Sequence, residues 1–209
     1  MTFMRRVVPL AGMLAAWSAT GAFAADCSGD VTAAFEKQRK TPAFRMVAES
    51  PSDQGPVRMQ IDYVPPDRMY QSVQHPSHPK PVETIAIGRW AWGTMGGGWE
   101  ELQPQFAQSV TAHLRQAMVE PLKQAGQFDC LGTTSFEGKE YVGFRSKPED
   151  GAQGEMLVRT VYVDPASGLP MLNIVAEAKP GANPVFKGVF TYPSDLKIEA
   201  PIGPPEPKQ

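Results

Sequence analysis

Residues 57–102 constrain the fold more than any other stretch of the chain. They open VRMQIDYV, in which Val57, Met59, Ile61 and Tyr63 alternate with Arg58, Gln60 and Asp62. A period of two sends successive side chains to opposite faces, so this is a strand with one apolar and one wet face. Pro65-Pro66 cannot continue a paired central strand, and strand character resumes over residues 69–74. Residues 84–87 form a short apolar run. Gly88-Arg89 suits a two-residue turn with glycine at a position of positive φ. Residues 90–95 run back, Gly96-Gly97-Gly98 turns again, and residues 99–102 return. Three of the four tryptophans, Trp90, Trp92 and Trp99, fall within ten positions here. The stretch reads as a β-meander carrying large rings.

The flanking chain extends the same pattern. Ser28 or Asp30 can cap a first helix over residues 31–40, with Val31, Ala34, Phe35 and Gln38 on one face and Pro42 beyond its end. Residues 44–50 alternate, and a Pro/Ser/Gly turn leads into the meander. Residues 105–127 are the longest helical stretch, with Phe106, Val110, Leu114, Ala117 and Met118 at helical spacing. Pro121 interrupts it, so two helices are expected to meet near Glu120, the second passing Leu122 and Ala125 to Gly126. Strands follow over residues 131–136 and 140–147 around a Glu137-Gly138-Lys139 turn, then over 156–163, 171–178, 185–192 and 196–199. Residues 148–154 read as a loop, and 201–209 as a solvated Pro-rich tail. The expected fold class is mainly β (α+β). About nine antiparallel strands form a curved sheet whose concave face is covered by helices.

The N-terminus bounds the compartment. Arg5-Arg6, an apolar run over residues 7–17 and Ala22-Phe23-Ala24 have the form of a cleaved secretion signal over residues 1–24. Residues 25–209 are then one domain, periplasmic if the source is Gram-negative, with no transmembrane segment. Asp26 stands where a lipobox before Cys27 needs a small residue. Without Arg5 and Arg6 the 20 Lys+Arg fall to 18 against 22 Asp+Glu, a net of −4 with no basic run, which argues against nucleic acid as a partner. Cys27 and Cys130 are the only cysteines. An even pair in an oxidising compartment is expected to form a disulfide, two buried free thiols being the alternative.

The sequence shows no catalytic constellation: no G-x-S-x-G, no Cys with a His partner, no metal-ligand cluster and no phosphate loop. No cofactor is expected. Gly96-Gly97-Gly98 sits between Trp-bearing strands rather than before a helix, as a hairpin turn does. His75-Pro-Ser-His78 lies among prolines and reads as a polar loop. His113 flanks the apolar stripe of the longer helix with no nucleophile or carboxylate spaced to meet it. The positive feature is apolar surface. Met46, Met59, Ile61, Tyr63, Trp90, Trp92, Trp99, Met118, Phe186 and Phe190 are the candidate lining of an interior cavity between sheet and helices. Adaptable methionines beside rigid rings suit acyl chains. The same residues could instead fill an ordinary core, and the pattern leaves both readings open.

The order of strand, Pro65-Pro66-Asp67-Arg68, strand, polar loop, ETIAIG, Trp-x-Trp, Gly-rich turn and Trp resembles the LolA-like superfamily of periplasmic lipoprotein carriers and related lipid-carrier lipoproteins. Tyr162-Val163-Asp164-Pro165-Ala166-Ser167-Gly168-Leu169-Pro170 and the closing Phe190-x-Tyr192 fit the same pattern, so the resemblance spans about residues 31–201. It implies an incomplete β-barrel capped by helices, sequestering the acyl chains of a lipid or lipoprotein. LolA carries an arginine directly before the proline of this step. Here Val64 precedes Pro65 and Arg68 follows the prolines, so that arginine's role does not transfer to Arg68. The alternative to a carrier or sensor is an envelope protein-interaction module with a filled core and no small ligand.

Overall fold

The computed structural model describes residues 25–94, 97–122 and 126–202. The expected secretion signal, residues 95 and 96 at the Gly96–Gly98 turn, residues 123–125 of the expected second helix and the end of the tail lie outside them, and the described residues of that expected helix, Leu122 and Gly126, are not helical. The elements are α1 (Ser28–Arg39), β1 (Phe44–Ser50), β2 (Val57–Val64), β3 (Arg68–Gln74), β4 (Val82–Ile87), β5 (Trp90–Thr94), β6 (Trp99–Glu101), α2 (Pro104–Met118), β7 (Phe128–Phe136), β8 (Lys139–Ser146), β9 (Glu149–Asp150), β10 (Met156–Val163), β11 (Pro170–Glu177) and β12 (Pro184–Thr191). Twelve antiparallel strands make one sheet in the order β6-β5-β4-β3-β2-β1-β12-β11-β10-β8-β7, with β9 beside β10. Pairing of β1 with β12 joins the two halves of the chain. The terminal strands β6 and β7 do not pair with each other, so the curved sheet is an open barrel.

Register decides which residues face the helices, because directly opposed residues share a face. One row runs Phe44, Tyr63, Met69, Ala86, Ala91, each paired with the next. These residues pack with Leu114 of α2 in one core cluster. The adjacent row runs Arg45, Asp62, Tyr70, Ile85, Trp92 on the other face. In the second half, Cys130, Phe144, Val161, Asn173 and Gly188 continue the concave face. Val31 and Ala34 of α1 pack there against Phe144 and Val161.

Each helix is fixed by a few contacts. The Asp26 carboxylate accepts from the Ser28 backbone N–H, and the Ser28 hydroxyl accepts from the Phe128 N–H, which sets the start of α1 on β7. The Cys27–Cys130 disulfide locks the same end. Further along α1, Gln38 donates to the Tyr192 hydroxyl at 3.1 Å, and Tyr192 in turn donates to the Pro170 carbonyl. Pro104 opens α2, where a missing N–H costs nothing. The helix stops at Met118, two residues before the Glu120 expected from the sequence, with Pro121 beyond it.

Two further expectations fail. The sheet has twelve strands rather than about nine, and β9 lies within residues 148–154, which read as a loop because a two-residue strand shows no alternation. Residues 196–199 do not form a strand. They cross the convex face without regular structure, and Ile198 plugs into the cluster of Ile85 and Trp92. Arg68 holds this segment by donating to the Ile198 carbonyl at 2.6 Å.

Candidate functional site

A cavity of about 340 Å³ lies between the concave sheet and the two helices. The sheet contributes Phe44, Tyr63 and Phe190, α1 contributes Phe35, Gln38 and Arg39, and α2 contributes His113, Gln116, Ala117 and Met118, with Leu122 beyond it. The rings are ordered. Phe44 stacks on Tyr63 with centroids 4.8 Å apart, and Phe35 meets Phe190 edge-on at 6.2 Å. Most of the wall is therefore carbon, and its polar groups gather on the helix side. The volume falls at the low end of ligand pockets, which hold about 300–1,000 Å³.

Those polar groups are few and specific. The Tyr63 hydroxyl lies 3.4 Å from His113 Nε2, and burial pushes its pKa up to about 12, so it stays a neutral phenol. Arg39 spans the two helices. Its Nη1 donates to the Glu120 carbonyl at 2.6 Å and its Nη2 to the Gln116 carbonyl at 2.8 Å. It thereby satisfies carbonyls that the end of α2 leaves without intrahelical donors.

A second cavity of about 350 Å³ opens under the first half of α2, lined by Thr84, Gly93, Leu102, Phe106, Ser109 and Val110, with Glu100 and Glu101 at its rim. A Cβ at Gly93 would fall 2.8 Å from Leu102 Cδ2, so glycine there lets Leu102 lie flat on the sheet. Leu114 belongs to α2 between the residues that line the two cavities. It is 2% exposed and packs on the sheet, so the middle of the interior is filled.

The candidate lining divides into three groups. Tyr63, Met118 and Phe190 line the cavity between the sheet and the two helices. Ile61 is in the adjoining core, with Met46 and Met59 packed against it. Phe186 lies on the same concave face, its ring 3.1 Å from where a Cβ of Gly188 would sit and close to Met46. Trp90, Trp92 and Trp99 are on the convex face, clustered with Ile85 and Ile198, and do not border this cavity. Trp90 and Trp92 do share a face, as their spacing requires. The face is the opposite one because Ala91 and Gly93 between and beyond them are small enough to let α2 approach. Phe35, Phe44, Arg39 and Ala117 were not among the candidates. The α1 face of Val31, Ala34, Phe35 and Gln38 was the signal for Phe35, the β1 alternation for Phe44 and the α2 stripe for Ala117, while none pointed to Arg39.

Elsewhere, His75 and His78 both bond the Ser77 hydroxyl in an exposed loop. Among the described residues no three His, Cys, Asp or Glu side chains gather as metal ligands. The disulfide joins residues 103 positions apart with a Cα–Cα separation of 5.5 Å, and fits an oxidising compartment. No helix among the described residues is long and apolar enough to cross a membrane.

No family model matches this sequence, and no curated protein does. Solved structures do resemble it. LprF from Mycobacterium bovis superposes with a TM-score of 0.51 at 11% identity, covering 85% of this chain and 97% of LprF. MucB gives 0.49 at 17% identity over 83% of this chain and 60% of MucB. A LolA superfamily protein from Nitrosomonas europaea gives 0.35 at 12% identity, over 80% and 92%. The overlap with LprF shows a shared fold. At these identities the likeness is one of architecture.

Proposed function

We propose that this protein is a periplasmic carrier or sensor that holds an acyl chain, from a lipid or a lipoprotein, in the cavity between its sheet and its helices. The observation that carries the reading is the carbon-walled cavity of about 340 Å³ bounded by Phe35, Phe44, Phe190 and Met118. The sequence's resemblance to the LolA-like superfamily supports it. Each buried methylene contributes about 0.8 kcal/mol, so eight of a chain's carbons supply roughly 6 kcal/mol before the costs of ordering it. No covalent step is involved. Entry and exit require α1 and α2 to part, which breaks the two bonds from Arg39 to the carbonyls of Gln116 in α2 and Glu120 just beyond it. Few buried side chains oppose that movement, since Leu114 is the one buried residue of α2.

Native mass spectrometry of protein purified without detergent should show an adduct with the mass of an acyl compound. Ala117→Trp, which places an indole in the cavity, should remove it. Wild-type protein that carries no adduct, and gains none when laurate is added, overturns the proposal.

The second reading is an envelope interaction module. Val47 and Val189 favour it, opposed on the convex face and 42% and 38% exposed. Under that reading Val47→Lys abolishes partner capture and leaves laurate binding intact.

A further inference from the structure

One guanidinium, of Arg39, lines the cavity and a second, of Arg159, lies behind its wall, and neither is in ion-pair contact with a carboxylate among the described residues. Arg159, on β10, lies over the ring of Phe35, another lining residue, with 5.3 Å from guanidinium carbon to ring centroid. Among the described residues neither makes an ion pair, although six other pairs form. Their hydrogen-bond partners are neutral. Arg39 donates to two backbone carbonyls, and Arg159 donates from Nε to Asn173 Oδ1 at 2.7 Å. Burial lowers the pKa of both, so each cation is less well solvated than in water. Glu36, one turn before Arg39 on α1, is the acidic neighbour that offsets this for Arg39, as Glu149 does for Arg159.

A guanidinium has five N–H donors, and the two bonds to Glu120 and Gln116 leave Arg39 three. Carbonyl acceptors carry no formal charge to cancel its own. Around it the cavity offers further polar side chains, Gln38, Gln116 and His113, while the deeper wall is aromatic. Apolar interior and cationic lip together describe an amphiphile with its chain inward and a negative head at the helix side.

We infer that the cavity selects single-chain amphiphiles with an anionic oxygen head, carboxylate or phosphate, and that Arg39 is the anchor for that head. This rests on the acyl-chain reading above and adds the class of ligand. Arg39 exchanges water for a charge-assisted hydrogen bond to that head, in which its positive charge is the main contribution. Arg159 contributes positive potential behind Phe35 without touching the head.

The test uses three twelve-carbon probes, laurate, dodecyl phosphate and dodecanol, titrated calorimetrically below their aggregation concentrations into the full secreted chain. Wild-type protein should bind each anion about tenfold more tightly than dodecanol, the effect of one charge-assisted hydrogen bond at the lower end of its range. Laurate and dodecyl phosphate distinguish a free fatty acid from a phosphate-headed lipid as the source of the head. Arg39→Gln should collapse the ratio of anion to alcohol affinity to about one. Arg39→Lys keeps the charge but not the two-carbonyl clasp between helices, so it should retain most of the preference. A ratio near one in the wild type, or unchanged by Arg39→Gln, overturns the anchor while the acyl cavity stands. Loss of the preference in Arg39→Lys equal to that in Arg39→Gln overturns it too, by assigning the effect to the clasp. If none of the three probes binds the wild type, both the anchor and the acyl-chain reading fail.

Discussion

Trp92→Ala separates the two faces of the sheet. Trp92 is 1% exposed and packs with Ile85 and Ile198, away from the helices. Truncating a buried tryptophan to alanine costs about 3–5 kcal/mol. One term runs the other way. The Trp92 Nε1 is buried with no hydrogen-bond partner among the described residues, and such an orphan donor costs about 1–3 kcal/mol, which the alanine no longer incurs. The net loss is then about 0–4 kcal/mol, centred on about 2 kcal/mol. At roughly 2–4 °C per kcal/mol for a chain of this size, a loss of about 2 kcal/mol lowers the melting midpoint by about 4–8 °C. Trp92→Phe keeps most of the ring and deletes the orphan N–H, so its cost should be only about 0–1 kcal/mol. Thermal unfolding followed by circular dichroism reads both numbers. A laurate titration well below the midpoint should show near wild-type affinity in both variants. A Trp92→Ala protein that melts like the wild type but no longer binds laurate would refute the reasoning and return Trp92 to the cavity wall.

Three other outcomes are expected. Breaking the disulfide with Cys27→Ser plus Cys130→Ser should cost about 4.7 kcal/mol, the chain-entropy value for a loop of about 100 residues, and chemical denaturation measures it. Asp62→Ala should cost about 1–3 kcal/mol in the same assay. It removes a buried carboxylate that accepts two bonds from Arg45, but Arg45 is 35% exposed and regains water. The Asp164 carboxyl lies below the ordinary 3.8 because the Ser167 hydroxyl and then its N–H donate to it. A folded value below the unfolded one gives stability that is complete above about pH 3.8 and is lost as pH falls through the depressed value. Ser167→Ala should flatten that part of the stability profile, and an unchanged slope would contradict the assignment.

Strands with one wet face were legible because burial imposes alternation on them. The β2 pattern at Val57, Met59, Ile61 and Tyr63 lies on the concave face as read. The disulfide was legible from cysteine number and compartment. Orientation of β5 was not, since both of its faces are covered, one by α2 and the other by the C-terminal segment with Ile198. A strand buried on both sides gives no wet face to read. The signal was in size, with Ala91 and Gly93 on the side a helix approaches and Trp90 and Trp92 on the side a single isoleucine fills. Residues 196–199 have strand-like composition, yet Ile198 is held by side-chain packing and Arg68 rather than by a ladder. Arg39 was invisible as a site residue because its role arises from α2, 77 positions away.

The central claim is that an acyl chain occupies the space under α1 and α2. Methyl NMR of methionine-labelled protein tests it directly, since Met118 lines the cavity and Met156 is an exposed residue outside it. Adding laurate should shift the Met118 methyl resonance saturably at one equivalent and leave Met156 in place. A Met118 signal that stays fixed at saturating laurate, or shifts no larger than those of Met156, would contradict the account.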